Sequence, residues 1–128
     1  MFEAELERFN SIVAERIDAR LELDRILIRG HVPERYEAVN SYIAVLDRCI
    51  AELKDWNDVM LDKVEHTYKD RIGGPPEDDS AWNLIRQRQA WTLLSDWRQE
   101  RDSLCEQLRF LKELNERPHD LSEPENGM

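Results

Sequence analysis

The sequence contains few residues that interrupt a helix. Only four glycines and five prolines occur in 128 residues, and they gather at Gly30–Pro33, at Gly73–Pro76 and from Pro118 onward. Glycine ends helices because its backbone readily adopts left-handed conformations, and proline cannot donate the hydrogen bond that a helix interior needs. The sequence therefore predicts an all-α protein with helices at about 2–29, 33–72 and 80–117.

Long apolar runs and cysteine clusters are also lacking. No segment approaches the roughly 20 consecutive apolar residues of a membrane-spanning helix. The first residues, Met1–Glu5, lack the basic and apolar regions of a signal peptide. The two cysteines, Cys49 and Cys105, have no metal-ligand spacing. We therefore expect a cytoplasmic protein with reduced thiols, no membrane association and no cofactor.

Negative charge is in excess, but it is unevenly spread. The formal net charge is −10, and much of it lies in Gly73–Asp79 and in the tail at 118–128. Acidic and basic residues alternate along the three predicted helices. The sign of the charge disfavours direct binding to nucleic acid. We expect one helical domain at 1–117, followed by a disordered acidic tail at 118–128.

The second predicted helix carries a heptad seam, in which apolar residues recur at alternating intervals of three and four. Its positions are Tyr36, Val39, Ile43, Leu46, Ile50, Leu53, Asn57, Met60, Val64 and Thr67. A weaker seam in the third predicted helix comprises Gln87, Ala90, Leu94, Trp97, Arg101, Leu104, Leu108, Leu111 and Asn115. Pairs such as Ile50 with Leu104 have residue numbers that add to 154. The seams therefore predict a long antiparallel helical hairpin as the basis of a three-helix coiled-coil-type bundle.

The first predicted helix is shorter and less regular than the other two. Arg16 and Arg20 interrupt its apolar seam, and Ile17 and Leu21 form a shifted stripe. This pattern indicates a local change of phase, after which Ile17 and Leu21 face the hairpin. Because this helix is shorter than the second, we expect it to leave the far end of the hairpin bare.

This hairpin tip is the first candidate site. Its members are aromatic or aliphatic side chains beside an acidic loop: Tyr68, Ile72, Trp82, Ile85, Trp91, Glu77, Asp78 and Asp79. Aromatic side chains are enriched at protein–protein hot spots because they bury a large area at low entropic cost. The tip is therefore a candidate partner-binding site, unless these side chains close the hairpin on themselves.

The flanks of the hairpin form the second candidate site. Tyr42, Cys49 and Trp56 follow one edge of the seam in the second predicted helix, and Cys105 lies on the opposite flank with Trp91. One short helix covers only one of these stripes, unless it kinks enough to cover both. The remaining stripe predicts an interface with a partner helix, from either a second copy or another protein, and a homodimer is favoured.

Catalytic and metal-binding motifs are missing. The sequence has no Glu-x-x-His pair of the kind used in di-metal bundles, no phosphate-binding loop and no nucleophile elbow. Asp62, His66 and Asp70 share one helical face and form the sole metal-like cluster. We therefore expect a protein that is not an enzyme and has no catalytic, cofactor or metal residues.

Three functional hypotheses follow. The leading one is a non-catalytic protein–protein interaction module, such as an adaptor, assembly chaperone or small structural subunit of a bacterial or phage complex. A second is an acidic inhibitor of a nucleic-acid-binding or host-defence protein. A third is a small helical metalloprotein centred on Asp62, His66 and Asp70.

Overall fold

The computed structural model describes residues 2–116, and these residues form four α-helices and no strand. The helices are α1 (Glu3–Arg29), α2 (Val32–Thr67), α3 (Ser80–Arg86) and α4 (Gln89–Glu116). The prediction of an all-helical bundle is confirmed. The predicted disordered tail at 118–128 lies outside the described residues.

A tight turn joins α1 to α2. Gly30 lies where its backbone N–H donates to the Ile26 carbonyl at 2.6 Å, and a side chain at this position would meet the same carbonyl oxygen at 2.7 Å. The Arg35 guanidinium donates to the Gly30 carbonyl at 2.8 Å. Pro33 lies in the first turn of α2, where its missing N–H leaves no helical hydrogen bond unmade. This turn fixes α1 beside α2, as the stop signals in the sequence predict.

The second helix ends at Thr67, five residues before the predicted boundary at 72. Tyr68 has left the helix, and its hydroxyl donates to a carboxylate oxygen of Asp79 at 2.6 Å. The other carboxylate oxygen of Asp79 accepts the Trp82 N–H at 3.1 Å and caps α3. The connection between α2 and α3 spans 68–79, and Asp79 joins its two ends through these hydrogen bonds.

The predicted third helix is wrong in one respect, since the chain forms two helices there. Arg88 has a φ of 57°, a left-handed conformation that ends α3 and reorients the chain before α4. The short α3 contacts α1, α2 and α4. No glycine or proline marks this break.

The core surrounds α2, which packs against both α1 and α4. Its buried face carries most of the predicted seam: Val39, Ile43, Leu46, Leu53, Asn57, Met60 and Val64. From α4 the buried side chains are Ala90, Leu94, Trp97, Leu104 and Leu111. Among the described residues, no Cα atom of α1 lies within 8 Å of one in α4. A groove therefore separates α1 from α4.

The predicted pairing sum of 154 for the two seams is too high. Tyr42 donates to Glu100 at 3.0 Å, and Arg101 pairs with Asp47. At a pairing sum of 154, Tyr42 and Glu100 would be displaced by 12 residues, or about 18 Å, along an antiparallel pair. The residue numbers of the two contacts add to 142 and 148, and both sums are below 154.

The predicted phase change in α1 is also wrong. The buried residues of this helix are Phe9, Ile12 and Leu23, whereas Ile17 and Leu21 point outward. Because Arg16 and Arg20 reach across the groove to Glu100, α1 keeps one inner face throughout. The shifted stripe is therefore a second, outward-facing stripe.

Candidate interaction surfaces

A polar cluster of Arg16, Arg20, Tyr42 and Glu100 bridges the groove between α1 and α4. Nη2 of Arg16 lies 2.9 Å from each carboxylate oxygen of Glu100, and Nη1 of Arg20 lies 3.0 Å from Oε2. The Tyr42 hydroxyl donates to Oε1 at 3.0 Å. Glu100 has a side chain that is 15% exposed. One half-buried carboxylate thus holds three helices together through charge-assisted hydrogen bonds.

The cluster alters the proton affinities of its members. Burial, and after it the charge of the adjacent Glu100 carboxylate, raise the pKa of Tyr42 to about 12. Burial disfavours the charged form of Arg16, but hydrogen bonding to Glu100 and electrostatic interactions with Tyr42 and Glu100 together outweigh it and raise the pKa of Arg16. Both effects keep Tyr42 neutral and Arg16 charged, so the cluster is structural at neutral pH.

Sequence reasoning missed this cluster. Arg16 and Arg20 interrupt the predicted seam, but their spacing of four places both on one helical face. The available signal was two cations together at otherwise apolar positions, which calls for a shared anion.

One predicted flank lies beneath α1. Tyr42, Cys49 and Trp56 are buried. The Trp56 indole N–H donates to the Glu5 carbonyl at 2.7 Å, and its ring lies 4.8 Å from that of Phe9, centroid to centroid. The structure therefore uses this stripe to attach α1.

The opposite flank lies open. Trp91 is 44% exposed, Leu61 is 39% exposed and Cys105 is half-buried. These are scattered side chains, and Arg101 and Asp47 form an ion pair between them. An interface role for Cys105 stays a prediction.

The hairpin tip is largely closed on itself. Tyr68, Trp82 and Ile85 are half-buried and pack against the core, and Asp79 caps α3. A small cleft joins this region to Glu3 and Leu6 of α1, so the expected bare end is partly covered. Ile72 is fully exposed, and Glu77 and Asp78 point to solvent. Partner binding at the tip stays a prediction.

The outward face of α1 carries what we call the outer stripe: Ala14, Ile17, Leu21, Asp24 and Ile28. These residues alternate by three and four, as in a heptad seam. Ile17, Leu21 and Ile28 are 45%, 63% and 77% exposed. Three large aliphatic side chains therefore form a line in solvent on a helix whose other face is already buried. A groove of about 440 Å³ lies between α1 and α4, and Arg16, Arg20, Glu100 and Gln107 are among its lining residues.

A second groove, of about 450 Å³, lies between α1 and the start of α2. Its floor is apolar, with Leu23, Ala38 and Val45, and its rim carries Glu34 and Glu37. It is an open depression rather than an enclosed cavity.

The described residues contain no group of three or more potential metal ligands. Asp62, His66 and Asp70, the predicted metal-like cluster, are all exposed. They lie apart in space from the polar cluster on Glu100, since His66 is in the last turn of α2 and Asp70 lies beyond it.

No helix within residues 2–116 is long and apolar enough to cross a membrane. No family model, curated protein or solved structure matches the chain.

Proposed function

We propose that this protein is a non-catalytic protein–protein interaction module: an adaptor, assembly chaperone or small structural subunit of a bacterial or phage complex. The observation that supports the proposal is the outer stripe on α1. Large exposed apolar surfaces are rare on monomers and are typical of protein-binding sites. Here the apolar side chains are aligned along one helix, which is the geometry that a partner helix recognises.

The scaffold beneath the stripe favours the same function. The buried Trp56 and the polar cluster on Glu100 both attach α1 to the rest of the bundle. A helix held from its inner face presents its outer face with little loss of conformational freedom on binding. We further propose that α2 and α4 pack as an antiparallel coiled coil, since both buried seams follow heptad spacing.

The remaining parts of the proposal concern compartment and assembly. Cys49 and Cys105 are free thiols, which suits the reducing cytoplasm. The protein is proposed to work as a homodimer, and the acidic surface makes nucleic acid an unfavourable partner.

Site-specific photo-crosslinking tests the function. A photoreactive phenylalanine replaces Leu21 in the native host, and a matched sample carries it at Glu106, an exposed residue of α4. We expect protein adducts from position 21 and none from position 106, and an adduct with either the same chain or another protein supports the proposal. If position 21 yields no protein adduct in cells, the outer stripe is not a docking surface and the proposal fails.

A further inference from the structure

We infer that the outer stripe binds the outer stripe of a second copy, with the two α1 helices antiparallel about a two-fold axis. This inference rests on the proposed function and names the partner. It uses a different surface from the hairpin flanks that the sequence suggested, because α1 covers one flank and an ion pair crosses the other.

The spacing of the stripe sets the possible registers. Ala14, Leu21 and Ile28 occupy a-type positions, and Ile17 and Asp24 occupy d-type positions. Antiparallel helices match a positions with d positions. A residue sum of 45 pairs Ile17 with Ile28 twice and Leu21 with Asp24 twice. A sum of 38 pairs Leu21 with Ile17 and leaves Ile28 opposite Asn10.

The charges beside the stripe select between these two registers. Asp18 and Arg25 are the neighbouring e-type residues; both are exposed, and Arg25 already pairs with Glu22 of its own helix at 2.6 Å. At a sum of 45, Asp18 of each copy lies beside Arg25 of the other, which gives two equivalent ion pairs. At a sum of 38, the two copies of Asp18 face each other and repel. The stripe is therefore complementary to itself in one antiparallel register.

Asp24 limits the strength of this contact. Its carboxylate pairs with Arg20 at 3.1 Å within the same helix and is about half-exposed. In the dimer it lies against Leu21 of the other copy, where a charge loses solvent without gaining a new partner. The inference therefore describes a dimer whose affinity is reduced by one acidic residue in each seam.

Sedimentation velocity over a range of concentrations measures the association. We expect a monomer–dimer equilibrium in the wild type. In Leu21→Glu the dimer dissociation constant should be about 30-fold higher or more, because both copies lose an apolar contact. Asp24→Ala acts in the opposite direction and tightens the dimer. Leu61→Glu is the control, since Leu61 is an exposed leucine on the open flank, at 39% exposed against 63% for Leu21, and it leaves the equilibrium unchanged.

A charge exchange tests the register. Asp18→Arg and Arg25→Asp each place like charges at both e-type contacts, and each is expected to weaken its own homodimer about 5- to 10-fold. An equimolar mixture of the two variants restores association, because every contact in the mixed dimer then joins opposite charges. Circular dichroism of each variant confirms that the bundle is folded.

The outcomes separate the inference from the proposed function. A wild type that stays monomeric at all concentrations, or a dimer that is lost with Leu61→Glu and kept with Leu21→Glu, overturns the inference. So does a mixture that fails to associate better than its components. In each of these cases, adducts with a different protein from position 21 would still support the interaction module.

Discussion

Replacing Glu100 with Gln isolates the charge that joins α1 to α4. The substitution keeps the shape of the side chain and one acceptor oxygen, but it removes the anion that Arg16 and Arg20 share. Its amide group then points two N–H donors towards guanidinium groups that also donate. The structure therefore predicts that Glu100→Gln destabilises the bundle without preventing it from folding.

The size of the loss follows from burial. A hydrogen bond to a charged group contributes about 1.5–3 kcal/mol to stability, and removing one member of a fully buried ion pair costs about 3–5 kcal/mol. The side chains of Arg16 and Arg20 are 26% and 32% exposed, so water partly solvates them after the change. We therefore expect Glu100→Gln to lower the free energy of unfolding by about 2–3 kcal/mol.

Urea denaturation followed by circular dichroism measures this loss. With a slope of about 1–3 kcal/mol per molar urea, the midpoint falls by about 1–2 M. Glu106→Gln is the matched control, because Glu106 is exposed on the same helix, and it should change stability by less than about 0.5 kcal/mol. If Glu100→Gln behaves like the control, the polar cluster does not hold α1 in place.

A double-mutant cycle assigns the loss to the cluster. Arg16→Gln removes one of the two cations that contact the Glu100 carboxylate. In the double variant with Glu100→Gln, the contact between Arg16 and this carboxylate is lost only once, although each single change removes it. The two changes should therefore be less than additive by about 1 kcal/mol or more. Additive losses would mean that Glu100 acts through other contacts.

Three further predictions concern single side chains. Trp56→Phe leaves the Glu5 carbonyl without its indole donor and should lower the free energy of unfolding by about 1–3 kcal/mol, measured by thermal unfolding. Trp91→Phe, at an exposed site, should lower it by almost nothing. Equal losses would contradict the packing of α1. Arg88→Gly relieves the strain of a left-handed backbone and should raise the free energy of unfolding by about 0.5–1 kcal/mol. The control Arg98→Gly, within a helix, should lower it by about 1 kcal/mol. A loss of stability at both positions would contradict the left-handed conformation of Arg88. Because the folded pKa of Tyr42 is raised to about 12, its stabilising effect is present below pH 10 and is lost as pH rises towards 12. Tyr42→Phe should therefore be less stable than the wild type at pH 8, with the difference shrinking above pH 10 in denaturation curves, and a constant difference would contradict this.

The sequence predicted which residues form the core, because burial repeats with the helix period. Between Val39 and Val64, every seam position of α2 except Ile50 is buried, as the spacing of three and four indicates. The same repetition does not determine how α2 and α4 are aligned, because a shift of seven residues again places apolar residues opposite one another. Contacts off the seam, such as Tyr42 with Glu100, were needed to decide it.

Breaks without a sequence signal were not predictable. Gly30 and Gly73 mark turns that the chain requires, but Arg88 adopts a left-handed conformation with no glycine at that position. The end of α2 at Thr67 depends on Asp79, which contacts Tyr68 across the connection. Such tertiary contacts decide helix ends more than local preference does.

The outer stripe on α1 was likewise only partly predictable from the sequence. The sequence indicated two apolar stripes on the first helix, but the prediction that Ile17 and Leu21 face the hairpin is wrong. Which stripe faces inward depends on Glu100, about 80 positions away from Arg16 and Arg20 in the chain, because its charge draws both arginines across the groove. Ile17, Leu21 and Ile28 are left outside as a result.

Intermolecular nuclear Overhauser effects test the central claim most directly. In a concentrated mixture of isotope-labelled and unlabelled protein, filtered spectra record only contacts between copies. Antiparallel pairing of the outer stripe predicts contacts between the methyl groups of Ile17 in one copy and Ile28 in the other. Contacts confined to Ile72 and Trp91, or none at all at concentrations where the protein is dimeric, would contradict the assignment of the outer stripe as the docking surface.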